Sequence, residues 1–355
     1  MKITSSLSLD GGPYMKLLPK QNITLKTIAK LAQVSPTTVS RALNNSSNIK
    51  PETKAKIIAL AKKLGYVPNL TAKALVTKHS YIIGVFFTSL SSGTSESFLK
   101  EVINQANNIL PNGYTLAIND INSIGKNKNL LSHNYDGIIV LSQSKSDDKF
   151  IAEIKNRQMP VVVLNRQISR NDISNYSSND FLGVKNMMAY AIRMGHRKFG
   201  LIKGIDSFES TKERTRGFYN VLHQYGLTIN PELVKTGDYK PKSGNIAMRQ
   251  ILTSGKIPTC VFCENDDMAL GAIKACQELG FQVPEDISFI GYDNTDYSKY
   301  LIPSLTTVRK PTDKIIDLGI KKLTELLSQK NTKVNIDKIN ITPEIIVRNS
   351  VADRR

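Results

Sequence analysis

Two stretches of this chain carry residue types at spacings from which chemistry could be made. Cys260-x-x-Cys263 has the spacing of a metal or redox pair. It lies in the apolar run Thr259-Cys-Val-Phe-Cys263, which reads as a buried strand, and no second ligand pair follows. The four histidines show no metal spacing either. Structural thiols and no metal or cofactor are the expectation. The second stretch is Val34-Ser-Pro-Thr-Thr-Val-Ser-Arg-Ala-Leu-Asn44. Ser35 suits an N-cap and Pro36 the first position of a helix. A helix from Pro36 to Leu43 would bury Val39 and Leu43 and present Thr37, Thr38 and Arg41 on its other faces. Hydroxyls and a guanidinium so presented can bond base edges in a DNA major groove.

The elements around that stretch suit the same task. Leu25, Ile28, Ala29, Leu31 and Ala32 have helical spacing behind Thr24, a plausible cap. Two short helices joined by a tight turn make a helix-turn-helix. A third helix, Pro51 to Leu64, would bury Ile57, Ile58, Ala61 and Leu64 and stop at Gly65-Tyr66. So small a core is marginally stable. Val67-Pro68-Asn69 breaks the helix, and Leu70 to Thr77 is helix-compatible but too short to be helical alone, a hinge that orders only when held. Residues 1–21 show no period and contain Asp10-Gly-Gly-Pro13, so a disordered extension is expected. Met15 is a candidate second start; an intact mass that includes residues 1–14 would refute it.

Charge divides the chain in the same way. Residues 1–80 carry 13 Lys and Arg against 2 Asp and Glu, a balance of +11 of the formal +18. A basic block ahead of a nearly balanced body points to a polyanionic partner. No apolar run is long enough to span a membrane. Free thiols and no secretory signal fit the cytoplasm.

From Tyr81 apolar strands alternate with amphipathic helices. The strands are expected at Ile82–Phe87, Thr115–Ile118, Gly137–Leu141, Val161–Leu164, Phe199–Lys203, Cys260–Cys263 and Ile287–Tyr292. Such alternation argues an α/β fold of doubly wound parallel sheets, and the number of strands fits two lobes. No Gly-rich dinucleotide fingerprint and no nucleophile elbow opens a strand-helix unit, so an enzyme is disfavoured.

Several motifs now occur in order over residues 22–350. Ile23-Thr-Leu-Lys-Thr-Ile-Ala-Lys-Leu-Ala-Gln-Val-Ser-Pro-Thr-Thr-Val-Ser-Arg-Ala-Leu-Asn44 resembles the N-terminal signature of the lactose/galactose repressor (LacI/GalR) family. Leu64-Gly-Tyr-Val-Pro-Asn69 with Ala72 and Leu75 resembles its hinge. Tyr135-Asp-Gly-Ile-Ile, Met194-Gly-His-Arg, Glu264-Asn-Asp-Asp-Met-Ala-Leu-Gly, Asp286-Ile-Ser-Phe-Ile-Gly-Tyr-Asp-Asn294, Pro303-Ser-Leu-Thr-Thr-Val and Val347-Arg-Asn-Ser continue the likeness. The resemblance implies an all-α head (22–68), a hinge (69–80) and a two-lobed core (81–350) like type I periplasmic binding proteins. The first lobe would hold 81–178 and 311–340, the second 179–310 and 341–350.

Residue by residue, the resemblance makes Pro36, Thr37 and Arg41 base contacts, and Thr24, Ser35, Ser40, Asn44 and Thr53 phosphate contacts. Thr24 and Ser35 could equally be caps. Asn69, Ala72 and Lys73 would lie at the minor groove and Leu75 would wedge it. Asn165, Arg214, Tyr239, Asn265 and Asp293 match effector contacts, a donor and acceptor set suited to sugar hydroxyls. Competing readings are an Asx turn at Asp293-Asn294, packing for Tyr239, and a surface pair of Arg214 with Glu213 or Glu209. His196 reads as structural. Three departures stand out: Gln33 where many members have Gly, Lys73 where Arg is common, and the segments Ser91–Ser95 and Asn122–Asn129. The function implied is a homodimeric repressor that binds a near-palindromic DNA operator under a small-molecule effector, a sugar or sugar phosphate. A purine corepressor, a phosphocarrier-protein coregulator and a secreted sugar-binding protein are the alternatives.

Overall fold

The computed structural model describes residues 23–43, 48–66, 77, 79–124, 135–328 and 335–355. The chain divides into two compact units, Met1–Lys78 and His79–Arg355. The expectations for residues 1–21, Asn44, Asn69, Ala72, Lys73 and Leu75 lie outside the described residues.

In the first unit α1 is Leu25–Ala32, α2 Pro36–Leu43 and α3 Pro51–Lys63. Thr24 opens α1 with a reciprocal cap: its hydroxyl accepts from Thr27 N at 3.3 Å, and Thr27 Oγ1 accepts from Thr24 N at 3.3 Å. Such a box satisfies two amides that the helix would otherwise leave unbonded. The α1–α2 turn passes through Gln33 at φ 56°, ψ 42°, a left-handed conformation usually filled by glycine. Ser35 Oγ then accepts from Thr38 N at 3.0 Å and caps α2. Gly65 closes α3 at φ 63°, and Tyr66 N donates to Ala61 O at 2.9 Å. The core comprises Ile28, Ala29, Ala32, Val39, Ala42, Ile57 and Ala61. Two expectations shift. Ala42 is buried and Leu43 only half-buried, while Ile58 is 46% exposed because Ile57 and Ala61, four apart, already occupy the inward stripe of α3.

The second unit contains two six-stranded sheets. The first runs in the order β2 (Thr115–Asp120), β1 (Ile82–Phe87), β3 (Gly137–Leu141), β4 (Val161–Asn165), β5 (Ser174–Ser178), β11 (Lys338–Ile341), with every pairing parallel. The second runs β7 (Val234–Thr236), β6 (Phe199–Lys203), β8 (Cys260–Cys263), β9 (Ser288–Tyr292), β10 (Thr306–Arg309), β12 (Glu344–Ile346), where only β12 is antiparallel. Strands β3, β4, β8 and β9 are apolar almost throughout because helices cover both faces, as parallel sheets require. The chain crosses between sheets after β5, after β10 and between β11 and β12. Strands β4, β6, β8, β9 and β10 end toward the same cleft, where doubly wound sheets place their ligands.

Candidate functional site

The outward side of α2 carries Pro36, Thr37 and Arg41, all exposed. Thr37 and Arg41 are four residues apart and so lie on one helix face. Thr24 and Ser35 are exposed but already committed as caps, and Ser40 and Thr53 are half-buried.

In the second unit Asn165, Arg214, Tyr239, Asn265 and Asp293 line one cavity. Its volume is about 30 Å³, room for a water or two, so a larger ligand enters only as the cleft opens. Each residue is delivered by the end of a strand or by a helix that follows one. Asn165 ends β4, Asp293 follows β9, and Asn265 stands two residues beyond β8 as the N-cap of helix Asp266–Glu278. Arg214 lies on helix Glu209–Gln224, behind β6, and Tyr239 lies between β7 and helix Pro241–Thr253.

Backbone strain concentrates here. Asn165 (φ 82°), Tyr239 (φ 70°), Asp293 (φ 108°) and Asn294 (φ 58°) are four of the seven non-glycine residues with positive φ among those described. Such conformations cost of order 1–3 kcal/mol each and persist where the surroundings enforce them.

Arg214 is the electrostatic centre. It is buried, donates through Nε to Asp180 Oδ2 at 2.9 Å, and lies 3.6 Å through Nη2 from Asp293 Oδ1. Its Nη1 donates to the Glu264 carbonyl, and its guanidinium carbon sits 3.7 Å from the centre of the Tyr292 ring. Burial pushes the Asp180 carboxyl up, but Arg214 and then Lys310 outweigh it and hold it below the ordinary range. Burial pushes Asp293 up to about 6, with Arg214 and Lys310 opposing. The surface pairing considered for Arg214 does not form: Glu213 pairs with Arg216, and Glu209 with Lys212.

Tyr239 is both wall and anchor. Its hydroxyl meets Thr211 Oγ1 at 2.6 Å and Ser210 Oγ at 3.2 Å, and its ring stacks on Phe208 at 6.1 Å and 15°. Gly204 admits that ring, since a Cβ there would overlap it. Asn265 Oδ1 accepts from Met268 N at 2.9 Å and its Nδ2 donates to Tyr239 O at 3.0 Å, which leaves one amide hydrogen. Asn165 Nδ2 donates to Ser142 O at 3.2 Å.

Other lining residues escaped the sequence reading: Ser95, Phe98, Gln143, Ser210 and Lys310. Lys310 follows β10, whose sequence Thr-Thr-Val-Arg is too short and too polar to declare a buried strand. Contacts between the elements of the two sheets flank the cavity. Ser97 Oγ donates to Asp267 Oδ1 at 3.1 Å, Lys240 Nζ to Ser91 O at 3.3 Å, and Glu209 N to Gln143 O at 2.9 Å.

His196 is buried, its ring nitrogens 3.1 Å from Thr259 Oγ1 and 3.2 Å from Ala352 O, and burial lowers it to about 4. The three cysteines are buried and free, and burial raises each thiol, which suits packing rather than reactivity.

A capped helix-turn-helix in one unit and a two-sheet core with a polar cavity in the other define a DNA-binding regulator. Residues 24–69 match the family described as bacterial regulatory proteins, lacI family, and residues 188–351 a periplasmic binding protein-like domain. The chain is 44% identical over 329 residues to the probable HTH-type transcriptional repressor ExuR of Bacillus subtilis (strain 168), covering 93% of this chain and 98% of that one. It is 36% identical over 338 residues to the HTH-type transcriptional repressor PurR of Pectobacterium carotovorum subsp. carotovorum (strain PC1), covering 93% and 97%. A crystal structure of the lac repressor dimer bound to operator and the anti-inducer ONPF superposes with a TM-score of 0.76 at 26% identity, covering 94% of this chain and all of that one. The chain belongs to the lacI family and is a DNA-binding transcriptional repressor. Its relatives are repressors, not enzymes. No helix among the described residues is long and apolar enough to cross a membrane.

Proposed function

We propose that this repressor binds a near-palindromic operator as a homodimer in the cytoplasm, and that a small sugar or sugar derivative in the core cavity controls it. The observation that carries the reading is the convergence of Asn165, Arg214, Tyr239, Asn265 and Asp293 on one small cavity. A guanidinium, a carboxylate and two amides supply the dense, directional donors and acceptors that hydroxyl groups need. In the head, Arg41 and Thr37 read base edges, with Pro36 beside them. Thr24, Ser35, Ser40, Asn44 and Thr53 fix register on phosphates. Asn69, Ala72, Lys73 and Leu75 serve the minor groove. The effector acts by linkage: it shifts the population between core states that differ in operator affinity.

Selection of duplexes from a random pool with the full chain tests the reading. The expected result is a two-fold symmetric consensus. Arg41→Ala then weakens it by about 1–3 kcal/mol with relaxed preference at one position per half-site, whereas Thr53→Ala weakens all duplexes alike. Leu75→Ala is expected to weaken the consensus far more than random duplex. Titrating the complex with sugars and sugar derivatives completes the test. An asymmetric consensus, or a complex that none of these compounds moves, would refute the proposal.

A further inference from the structure

Three successive residues at the start of the second unit converge on one buried carboxylate. Asp136 stands just before β3, its side chain 7% exposed. Its Oδ1 accepts from Ser80 N at 2.7 Å and from Ser80 Oγ at 3.0 Å, and its Oδ2 accepts from Tyr81 N at 3.0 Å. His79 Nδ1 lies 3.4 Å from the same Oδ2. Ser80 Oγ in turn accepts from Ile82 N at 3.2 Å, and Asp136 N donates to Ile82 O at 3.0 Å. Hydrogen bonds to an ionised carboxylate are shorter and stronger than those between neutral groups, so two adjacent amides and a hydroxyl on one carboxylate make a firm clamp.

The backbone held in this way is strained. Tyr81 has φ 57°, in the left-handed region, where a residue with a side chain persists only if its surroundings enforce it. Its amide is fixed on Asp136, its carbonyl accepts from Thr115 N at 2.9 Å, and its ring packs 5.5 Å from Tyr114 and 6.1 Å from His79. The pairing of β1 with β2 and β3 runs from Ile82 onward, so the clamp orders residues that precede the strand. His79 is the first residue of that unit, and the chain reaches it directly from the segment assigned above to the minor groove. A segment whose order decides operator affinity can respond to the core only if its core end is fixed. Were residues 79–81 free, they would have to be ordered at the moment of operator binding, and fixing the backbone of one residue costs about tenfold in an equilibrium constant.

We propose that Asp136 is a positioning residue for operator recognition: it clamps the point where the linker enters the core, so that operator binding needs no further ordering there and a change of core state is passed on to the linker. This rests on the reading of Asn69, Ala72, Lys73 and Leu75 as minor-groove residues and adds the group that holds their core end.

Binding of the full chain and of its Asp136→Asn and Asp136→Ala variants to the duplex that the parent selects from a random pool, and to a random duplex, tests it. Each variant is expected to bind the selected duplex about tenfold more weakly and the random duplex within about twofold of the parent. Amide exchange should quicken at Tyr81 and Ile82 and stay unchanged at Val85 and Ile139, within the sheet. Thermal midpoints identify any variant that fails to fold. Ser80→Ala, which removes only the hydroxyl, should lose roughly two- to threefold on the selected duplex and keeps the comparison open in that case. Selected and random duplex weakened alike, with a lowered midpoint, would make Asp136 a stabiliser of the sheet. Unchanged affinity for the selected duplex in both Asp136 variants would disconnect the clamp from DNA. Either result overturns the inference and leaves the operator reading standing. Equal losses on both duplexes in Leu75→Ala would instead remove the minor-groove reading, and this inference with it.

Discussion

Arg214 Nε and Asp180 Oδ2 stand 2.9 Å apart, both side chains almost fully buried, and tie helix Glu209–Gln224 to the first residue of helix Asp180–Arg193. Asp180 also accepts from the Tyr292 hydroxyl at 2.9 Å, and Arg214 lies over the Tyr292 ring. The cavity-lining guanidinium is thus held from behind by a carboxylate outside the cavity lining.

Arg214→Met should therefore fail in two separable ways. It removes a donor from the cavity, and it leaves a carboxylate buried without its cation, which costs about 3–5 kcal/mol. Urea unfolding of the full chain is expected to show that loss without any ligand. The double variant Arg214→Met/Asp180→Leu should recover part of it, because Asp180 no longer stands buried without its cation while Asp293, 3.6 Å from Arg214, still loses one, and effector binding stays lost. A single variant within about 1 kcal/mol of the parent would contradict the buried-pair assignment.

Asp266 gives the core a pH dependence of known sign. Burial, then Asp293, pushes its carboxyl from 3.8 up to about 8. It holds Thr307 Oγ1 at 2.6 Å and Thr295 N at 2.8 Å. Between the unfolded value near 3.8 and the folded value near 8, folding takes up a proton at this site. Its contribution is complete below the unfolded value and is lost as pH rises through the folded one. Asp266→Asn, whose amide can still accept from Thr295 N and can donate to Thr307 Oγ1, should flatten that slope. From pH 5 to 7 it should gain on the parent by roughly 1 kcal/mol per pH unit. Denaturation of both proteins across that range is the measurement, and parallel curves would show that the site does not titrate there.

How legible the fold was follows from what buries each strand. Strands β1, β3 and β4 announced themselves because both faces are covered by helices, so their residues are nearly all apolar. Strand β5, Ser-Asn-Tyr-Ser-Ser, is as well buried but polar, and it is not among the strands expected from sequence. Its stability comes from hydrogen bonds no hydropathy pattern displays: Asn175 Nδ2 donates to Val163 O at 2.9 Å and Arg166 O at 2.8 Å, and Asn175 Oδ1 accepts from Ile168 N at 3.1 Å. The same distinction divides the cavity. Asn165, Arg214, Tyr239, Asn265 and Asp293 were named through family likeness. Lys310 and Asp180 were not, because a lysine after a short polar strand and an aspartate at the head of a helix look like surface residues until the chain is folded around them.

Gln33 is where the sequence departs from its family's glycine and where the structure shows a left-handed residue, φ 56° and ψ 42°. Its amide serves that turn, reaching Ala29 O and Lys30 O, so the conformation is fixed by the geometry of the helix end. A side chain there costs roughly 1–2 kcal/mol relative to the right-handed region, while glycine adds unfolded-state freedom worth roughly 0.5–1 kcal/mol. Gln33→Gly should therefore stabilise the head by a net of about 0.5–1 kcal/mol. Gln33→Val, β-branched at the same φ, should destabilise it by about 1 kcal/mol or more. Amide hydrogen exchange in the full chain reads both at Ile28 and Ala29, in the core beneath the turn. Exchange should slow severalfold in the glycine variant and quicken in the valine variant. Faster exchange in the glycine variant would mean that the backbone at residue 33 does not hold the left-handed conformation in solution.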